Sequence, residues 1–148
     1  MRTGVLCLAL CACGSSDPEL GTANWVATPG TGLPTSLFPV TYSRWSSTEV
    51  AIHTFNFDEE IHCSEIPGGD GGTLEIRISR PGVVAPGVVP IAETLDPAVP
   101  SATLKLGTRV YTSGTINVLD VDGRVRAMFD ASEPASTLRG DFNGTRCD

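Results

Sequence analysis

Alternation with a period of two runs through most of this chain, and it constrains the fold more than any other feature. In residues 73–79, Leu74, Ile76 and Ile78 alternate with Glu75 and Arg77. In 102–106, Ala102, Leu104 and Leu106 alternate with Thr103 and Lys105. In 124–131, Val125, Ala127, Phe129 and Ala131 alternate with Arg124, Arg126, Met128 and Asp130. In 137–142, Leu138 and Phe142 flank Gly140 on one face. Successive side chains of a strand point to opposite faces, so this pattern marks strands with one wet face. No segment keeps helical spacing, and the 16 Gly and 11 Pro residues break the chain every few positions.

The turn chemistry agrees. Asp122-Gly123 falls between two alternating runs, 114–121 and 124–131, and predicts a tight hairpin. Ser132-Glu133-Pro134-Ala135-Ser136 joins the next run, so 114–143 reads as a three-strand meander. The register then sends Val125, Ala127, Phe129, Leu138 and Phe142 to the core. Arg124, Arg126, Arg139 and Asp141 go to water. Pro67 to Gly72 is a loop, and Pro81-Gly82 and Pro86-Gly87 interrupt the chain before a short run at 88–91. Residues 48–63 are less regular. Val50 and Ile52 share one parity while Phe55 and Phe57 share the other, which predicts a bulge or bend near His53-Thr54. With 37–45 added, about eight strands are expected. Short sequential connections favour an all-β antiparallel sandwich or a small barrel over any parallel arrangement.

The N-terminus carries a different signal. Met1-Arg2-Thr3 is a short basic start, Gly4 to Ala12 is an apolar run, and Leu10-Cys11-Ala12-Cys13 follows. This resembles the signal peptide and lipobox of a bacterial lipoprotein. The apolar run is far shorter than the ~20 residues a bilayer-spanning helix needs. The resemblance implies cleavage after Ala12, the small residue, and acyl chains on Cys13. Gly14 in place of Asp after that cysteine implies sorting to the outer membrane of a Gram-negative envelope. The expected organisation is a signal at 1–12, a lipidated N-terminus and flexible tether at 13–36, and a β domain at 37–148. The tail of the chain has a related likeness. Ser113-Gly114-Thr115-Ile116, Gly123-Arg124-Val125, Leu138-Arg139-Gly140-Asp141-Phe142 and Cys147 look like the end of small bacterial envelope lipoproteins with no assigned activity. That likeness spans roughly residues 73–148 and supports an all-β domain.

If Cys7 and Cys11 leave with the signal and Cys13 takes lipid, Cys63 and Cys147 remain. An even pair in an oxidising compartment implies one disulfide, closing nearly the whole domain. The net charge is −7, and −8 once Arg2 is removed. An acidic surface argues against nucleic acid, which selects basic patches. The expected partners are the membrane, through the lipid, and a protein or small molecule that the sequence does not identify.

The constellations that carry chemistry are few. Nucleophile elbows, HExxH, P-loops and CxxC pairs are absent from the sequence. The reading is therefore non-catalytic and without a cofactor. His53, Glu60 and His62 form the best metal candidate: Glu60 and His62 share a face of an extended strand, and imidazole and carboxylate suit zinc. Asp120-Val121-Asp122-Gly123 resembles the start of a Ca²⁺ loop, but the basic residues that follow supply no later acid. Tyr42 is a candidate binding aromatic, with Trp45 in the core as the plain alternative. Arg124, Arg126 and Arg139 form a basic strip that pairs with Asp130 and Asp141 or docks a partner. These observations lead to a membrane-anchored binding or structural module. One alternative is a carrier of a small apolar ligand, with Ala102, Ala127, Ala131 and Gly140 leaving interior space. The other is a metal-binding protein or enzyme using His53, Glu60 and His62.

Overall fold

The computed structural model describes residues 20–28, 39–46, 48–56, 62–66, 74–79 and 84–147. Cys13 and Glu60 lie outside them. The domain is all-β. Its ten strands are β1 (Gly21–Thr28), β2 (Pro39–Trp45), β3 (Glu49–Asn56), β4 (Leu74–Ser79), β5 (Gly87–Pro90), β6 (Ser101–Leu106), β7 (Arg109–Tyr111), β8 (Ser113–Asp120), β9 (Arg124–Glu133) and β10 (Ser136–Arg146). A 3-10 turn spans Cys63–Glu65.

All ten strands belong to one sheet, in the order β5-β8-β9-β10-β1-β2-β3-β4-β6-β7. Neighbours in that order are antiparallel. The last residues of β10 also run parallel to β2, through Thr145–Tyr42 and Arg146–Ser43. The sheet curls into a half-barrel, because right-handed twist accumulates from strand to strand. Its two ends come into contact. Ile91, just after β5, forms a parallel bridge to Ala102 of β6, and the Ala92 N–H donates to the Ala102 carbonyl at 2.8 Å. Across the interior, the hydroxyls of Tyr111 and Ser136 meet at 3.2 Å.

The alternating residues meet where their period requires. Val125, Ala127, Phe129, Leu138 and Phe142 are all buried. Arg124, Arg126, Arg139 and Asp141 are exposed on the other face. Leu74, Ile76 and Ile78 of β4 lie opposite Leu106, Leu104 and Ala102 of β6, and all six are at most 1% exposed. Each fully buried aliphatic side chain of this size contributes roughly 1.5–3 kcal/mol. That row is the driving force for the β4–β6 half of the sheet.

Two strands escape the sequence pattern. β1 falls inside the segment read as a flexible tether, yet it pairs with β10 along seven residues, from Thr22–Asn143 to Thr28–Thr137. The tether boundary at 36 is therefore corrected: residues 21–28 belong to the sheet. Ala23 and Trp25 face the core in β1, while Val26 on the outer face is 71% exposed. The outward valine and the small inward Ala23 and Ala27 weaken the amphipathic contrast around Trp25. β7 is only three residues long. It closes on β6 through the two-residue turn Gly107-Thr108, where Gly107 has φ +59°, a left-handed conformation that glycine adopts without a Cβ penalty. Among the described residues the strand count is accordingly ten, not about eight.

The bulge expected near His53-Thr54 is not present. β3 pairs in unbroken register with β2 and with β4. Val50, Ile52 and Thr54 are buried on the inner face, and His53 is buried on the outer one. Within β3 the register does not slip, and His53 shows that both faces of the strand are buried there; the burial of Phe55 and Phe57 lies outside the described residues.

Interior space is allotted in pairs. Each small inward residue faces a large one across the ladder: Ala102 faces Ile78, Ala127 faces Phe142, Ala131 faces Leu138, and Gly140 faces Phe129. A Cβ at Gly140 would sit 2.7 Å from Phe129 Cζ and collide with the Asn24 carbonyl. Filling of this large–small kind is how small barrels close their interiors. The room that Ala102, Ala127, Ala131 and Gly140 leave is taken by these neighbours. Those residues therefore give no support to a ligand cavity.

Candidate functional site

The richest chemistry gathers at one end of the sheet, where β2 ends, β3 begins and β10 finishes. Cys63 and Cys147 are joined there by a disulfide, with Cα atoms 5.4 Å apart and a sequence separation of 84. This spacing is ordinary for a disulfide. The bond ties the 3-10 turn to the end of β10. The Cys147 N–H donates to the Ser43 carbonyl at 2.9 Å, which fixes the same end to β2.

Around the disulfide lie Trp45, Arg44 and Arg146. Trp45 donates its Nε1–H to Ser43 Oγ at 2.9 Å. The Arg146 guanidinium carbon is 4.7 Å from the centre of the Trp45 ring, and that of Arg44 is 5.7 Å from the centre of the Tyr42 ring. Cations over aromatic faces gain about 0.5–1 kcal/mol at exposed sites. Arg44, Trp45, Ile66, Arg146 and the disulfide line an open pocket of about 470 Å³. A smaller depression of about 230 Å³ adjoins it through Arg44 and Trp45 and is floored by Ala51 and His53, with Glu49 and Arg77 at its rim.

Beside it, on the outer face, the ladder sets Tyr42 opposite His53 and His53 opposite Glu75. Tyr42 and His53 stack with ring centres 5.3 Å apart. Arg77 donates from Nε to Glu75 Oε1 at 2.8 Å and lies 3.6 Å from Glu49 Oε1. Tyr42 is thus not an exposed binding aromatic. It is 1% exposed, enclosed beside His53, while Trp45, expected in the core, is half-buried. Tyr42 is buried because it occupies the outer-face position beside His53, and Trp45 still packs against the core. Trp45 stands at the end of its strand, where the interior opens.

The metal candidates are placed unequally. His53 is fully buried in β3. His62 is half-buried before the 3-10 turn, where its N–H donates to Glu65 Oε2 at 2.7 Å. Among the described residues no group of three His, Cys, Asp or Glu side chains is positioned to share a metal ion.

The basic strip lies on the outer face of β9 and β10. Arg139 Nε is 2.9 Å from Asp130 Oδ2, both well exposed. Arg124 and Arg126 line a separate open depression of about 680 Å³ with Leu119, Asp120, Met128, Asp141 and Asn143. They form no ion pair with a described residue. Two acids line the same depression, so its charge is balanced. The site that composition and spacing miss is the arginine–tryptophan end. Its residues are far apart in sequence, and only the Cys63–Cys147 pair hinted that positions 63 and 147 meet.

Comparison with protein-family models, with curated proteins and with solved structures gave no match.

Proposed function

We propose that this protein is a lipid-anchored envelope lipoprotein of a Gram-negative bacterium, held at the outer membrane through Cys13. Its β domain acts there as a non-catalytic binding or structural module. The observation that carries this reading is the Cys63–Cys147 disulfide. Such bonds form and persist outside the reducing cytosol, which agrees with an N-terminus that resembles an export signal. Leu10-Cys11-Ala12-Cys13 supplies the attachment point. More than one acyl chain gives stable anchoring, since each buried CH₂ contributes ~0.8 kcal/mol. Within this reading the sheet is an incompletely closed small barrel rather than a sandwich. The Ile91–Ala102 bridge between its ends supports that view.

The test is metabolic labelling with a fatty-acid probe in the producing bacterium. The wild-type chain takes up label and fractionates with membranes, and Cys13→Ala abolishes both. A Cys13→Ala chain that still labels would place the anchor elsewhere.

A further inference from the structure

The open depression of about 680 Å³ on the outer face of β8, β9 and β10 holds charges that its own strands leave apart. Asp120, Arg126 and Asn143 face one another in a row across the three strands, and Met128 and Asp141 face one another in the next row. Facing Cβ atoms on a ladder lie about 4.5–5.5 Å apart, well within the reach of an arginine. Yet neither Arg124 nor Arg126 closes an ion pair with a described residue, and neither does Asp141. Asp120 accepts the Asp122 N–H at 3.1 Å, which holds its carboxylate at the turn. Asn143 Oδ1 is shielded from solvent and has no hydrogen-bond partner among the described residues. The register shifts between Val118 and Asp120, and the extra residue, Leu119, joins the lining, as bulges re-aim side chains elsewhere. Leu119 and Met128 are 47% and 55% exposed there.

Two cations and two carboxylates make the depression neutral as a whole, so a lone anion meets Asp141 and a lone cation meets the arginines. A molecule that carries both charges satisfies both sides. Guanidinium forks match a carboxylate, and an ammonium brings three donors for Asp141 and Asn143 Oδ1. Leu119 and Met128 favour an alkyl group close to both charges. An apolar α-amino acid holds its ammonium, carboxylate and alkyl group on one carbon, whereas a phospholipid headgroup keeps its charges on a polar segment away from its chains. We propose that this depression binds a free apolar α-amino acid, with Arg124 and Arg126 on the carboxylate, Asp141 and Asn143 on the ammonium, and Leu119 and Met128 on the alkyl group. The proposal rests on the binding-module reading and gives it a ligand class. It does not depend on the lipid anchor, so amino-acid binding and labelling at Cys13 can fail separately.

The test follows the Met128 methyl resonance of the full chain in neutral detergent, with isotope-labelled methionine and assignment by Met128→Leu. Leucine is titrated beside isocaproate, which lacks its ammonium, and isopentylamine, which lacks its carboxylate, all at matched salt. Leucine should give a saturable shift with half-saturation on the order of 1 mM, and each of the other two should bind at least about tenfold more weakly. Arg126→Ala and Asp141→Asn should each weaken leucine binding roughly fivefold to tenfold, in keeping with loss of one charge-assisted contact. Lys105→Ala, which removes a charge from β6, should leave it unchanged. A leucine titration without a saturable shift would overturn the proposal. So would isocaproate or isopentylamine binding as tightly as leucine, which would mean a site for one charge only. Glycerophosphoethanolamine that saturates where leucine does not would assign the depression to a lipid headgroup instead. Equal weakening by Lys105→Ala and Arg126→Ala would reduce the effect to overall charge and overturn the proposal as well.

Discussion

Phe129 lies over Gly140 across the β9–β10 ladder, with its Cζ 2.7 Å from the place a Gly140 Cβ would occupy. Trp25 flanks the same glycine from β1. The absent side chain is therefore part of the packing. Gly140→Ala carries two opposed effects. Relief of backbone entropy favours alanine by roughly 0.5–1 kcal/mol. Overpacking against Phe129 and the Asn24 carbonyl costs about 1–3 kcal/mol. The collision wins, and urea denaturation should show net destabilisation. A neutral or stabilised variant would mean that the interior has spare room beside Phe129.

Membership of β1 in the domain is open to the same kind of measurement. Trp25 packs against the core and is half-buried. Trp25→Ala should cost roughly 2–3 kcal/mol, below the full cost of a buried aromatic. A residue in a tether would change stability by no more than ~0.5 kcal/mol.

The register of β9 is tested by neighbouring charges. Arg126 is exposed and Ala127 is 1% exposed. Arg126→Glu should leave the melting temperature nearly unchanged, within about 0.5 kcal/mol of stability. Ala127→Glu places an unpaired carboxylate in the core beside Phe142 and should prevent folding or cost at least ~3 kcal/mol. Comparable effects at both positions would show that the faces are misassigned.

Removing the disulfide by Cys63→Ser with Cys147→Ser should lower stability by about 2–5 kcal/mol. Because β10 still pairs with β1 and β9 along most of its length, the double variant should keep its far-ultraviolet β signature at low temperature. Thiol titration of the unfolded, unreduced wild-type chain should find neither Cys63 nor Cys147 free. Two free thiols at these positions would contradict the bond.

Much of the frame was legible because one physical rule generates it. Where one face of a strand is wet and the other buried, as in β4, β6 and β9, side-chain period alone assigns the face of every residue. The rule lost its grip where both faces are buried, as around His53. It also failed where the inward residues are small and the outward one is apolar, as with Ala23, Ala27 and Val26 of β1. The candidate site was less legible still. Arg146 reaches Ser43 and Trp45 because β10 outruns β1 and pairs with the end of β2, a long-range pairing that no local pattern encodes. The Tyr42 burial follows from the same outer-face packing, which the alternation of Tyr42 and Arg44 with Trp45 does not disclose.

Intact mass spectrometry of the protein extracted from the membranes of the producing cell tests the central claim most directly. The account predicts a mature chain that begins at Cys13, carries the added mass of a diacylglyceryl group on that residue, and is two hydrogens lighter than the form with Cys63 and Cys147 reduced. A chain that begins at any other residue, or one that begins at Cys13 without added lipid mass, would contradict it.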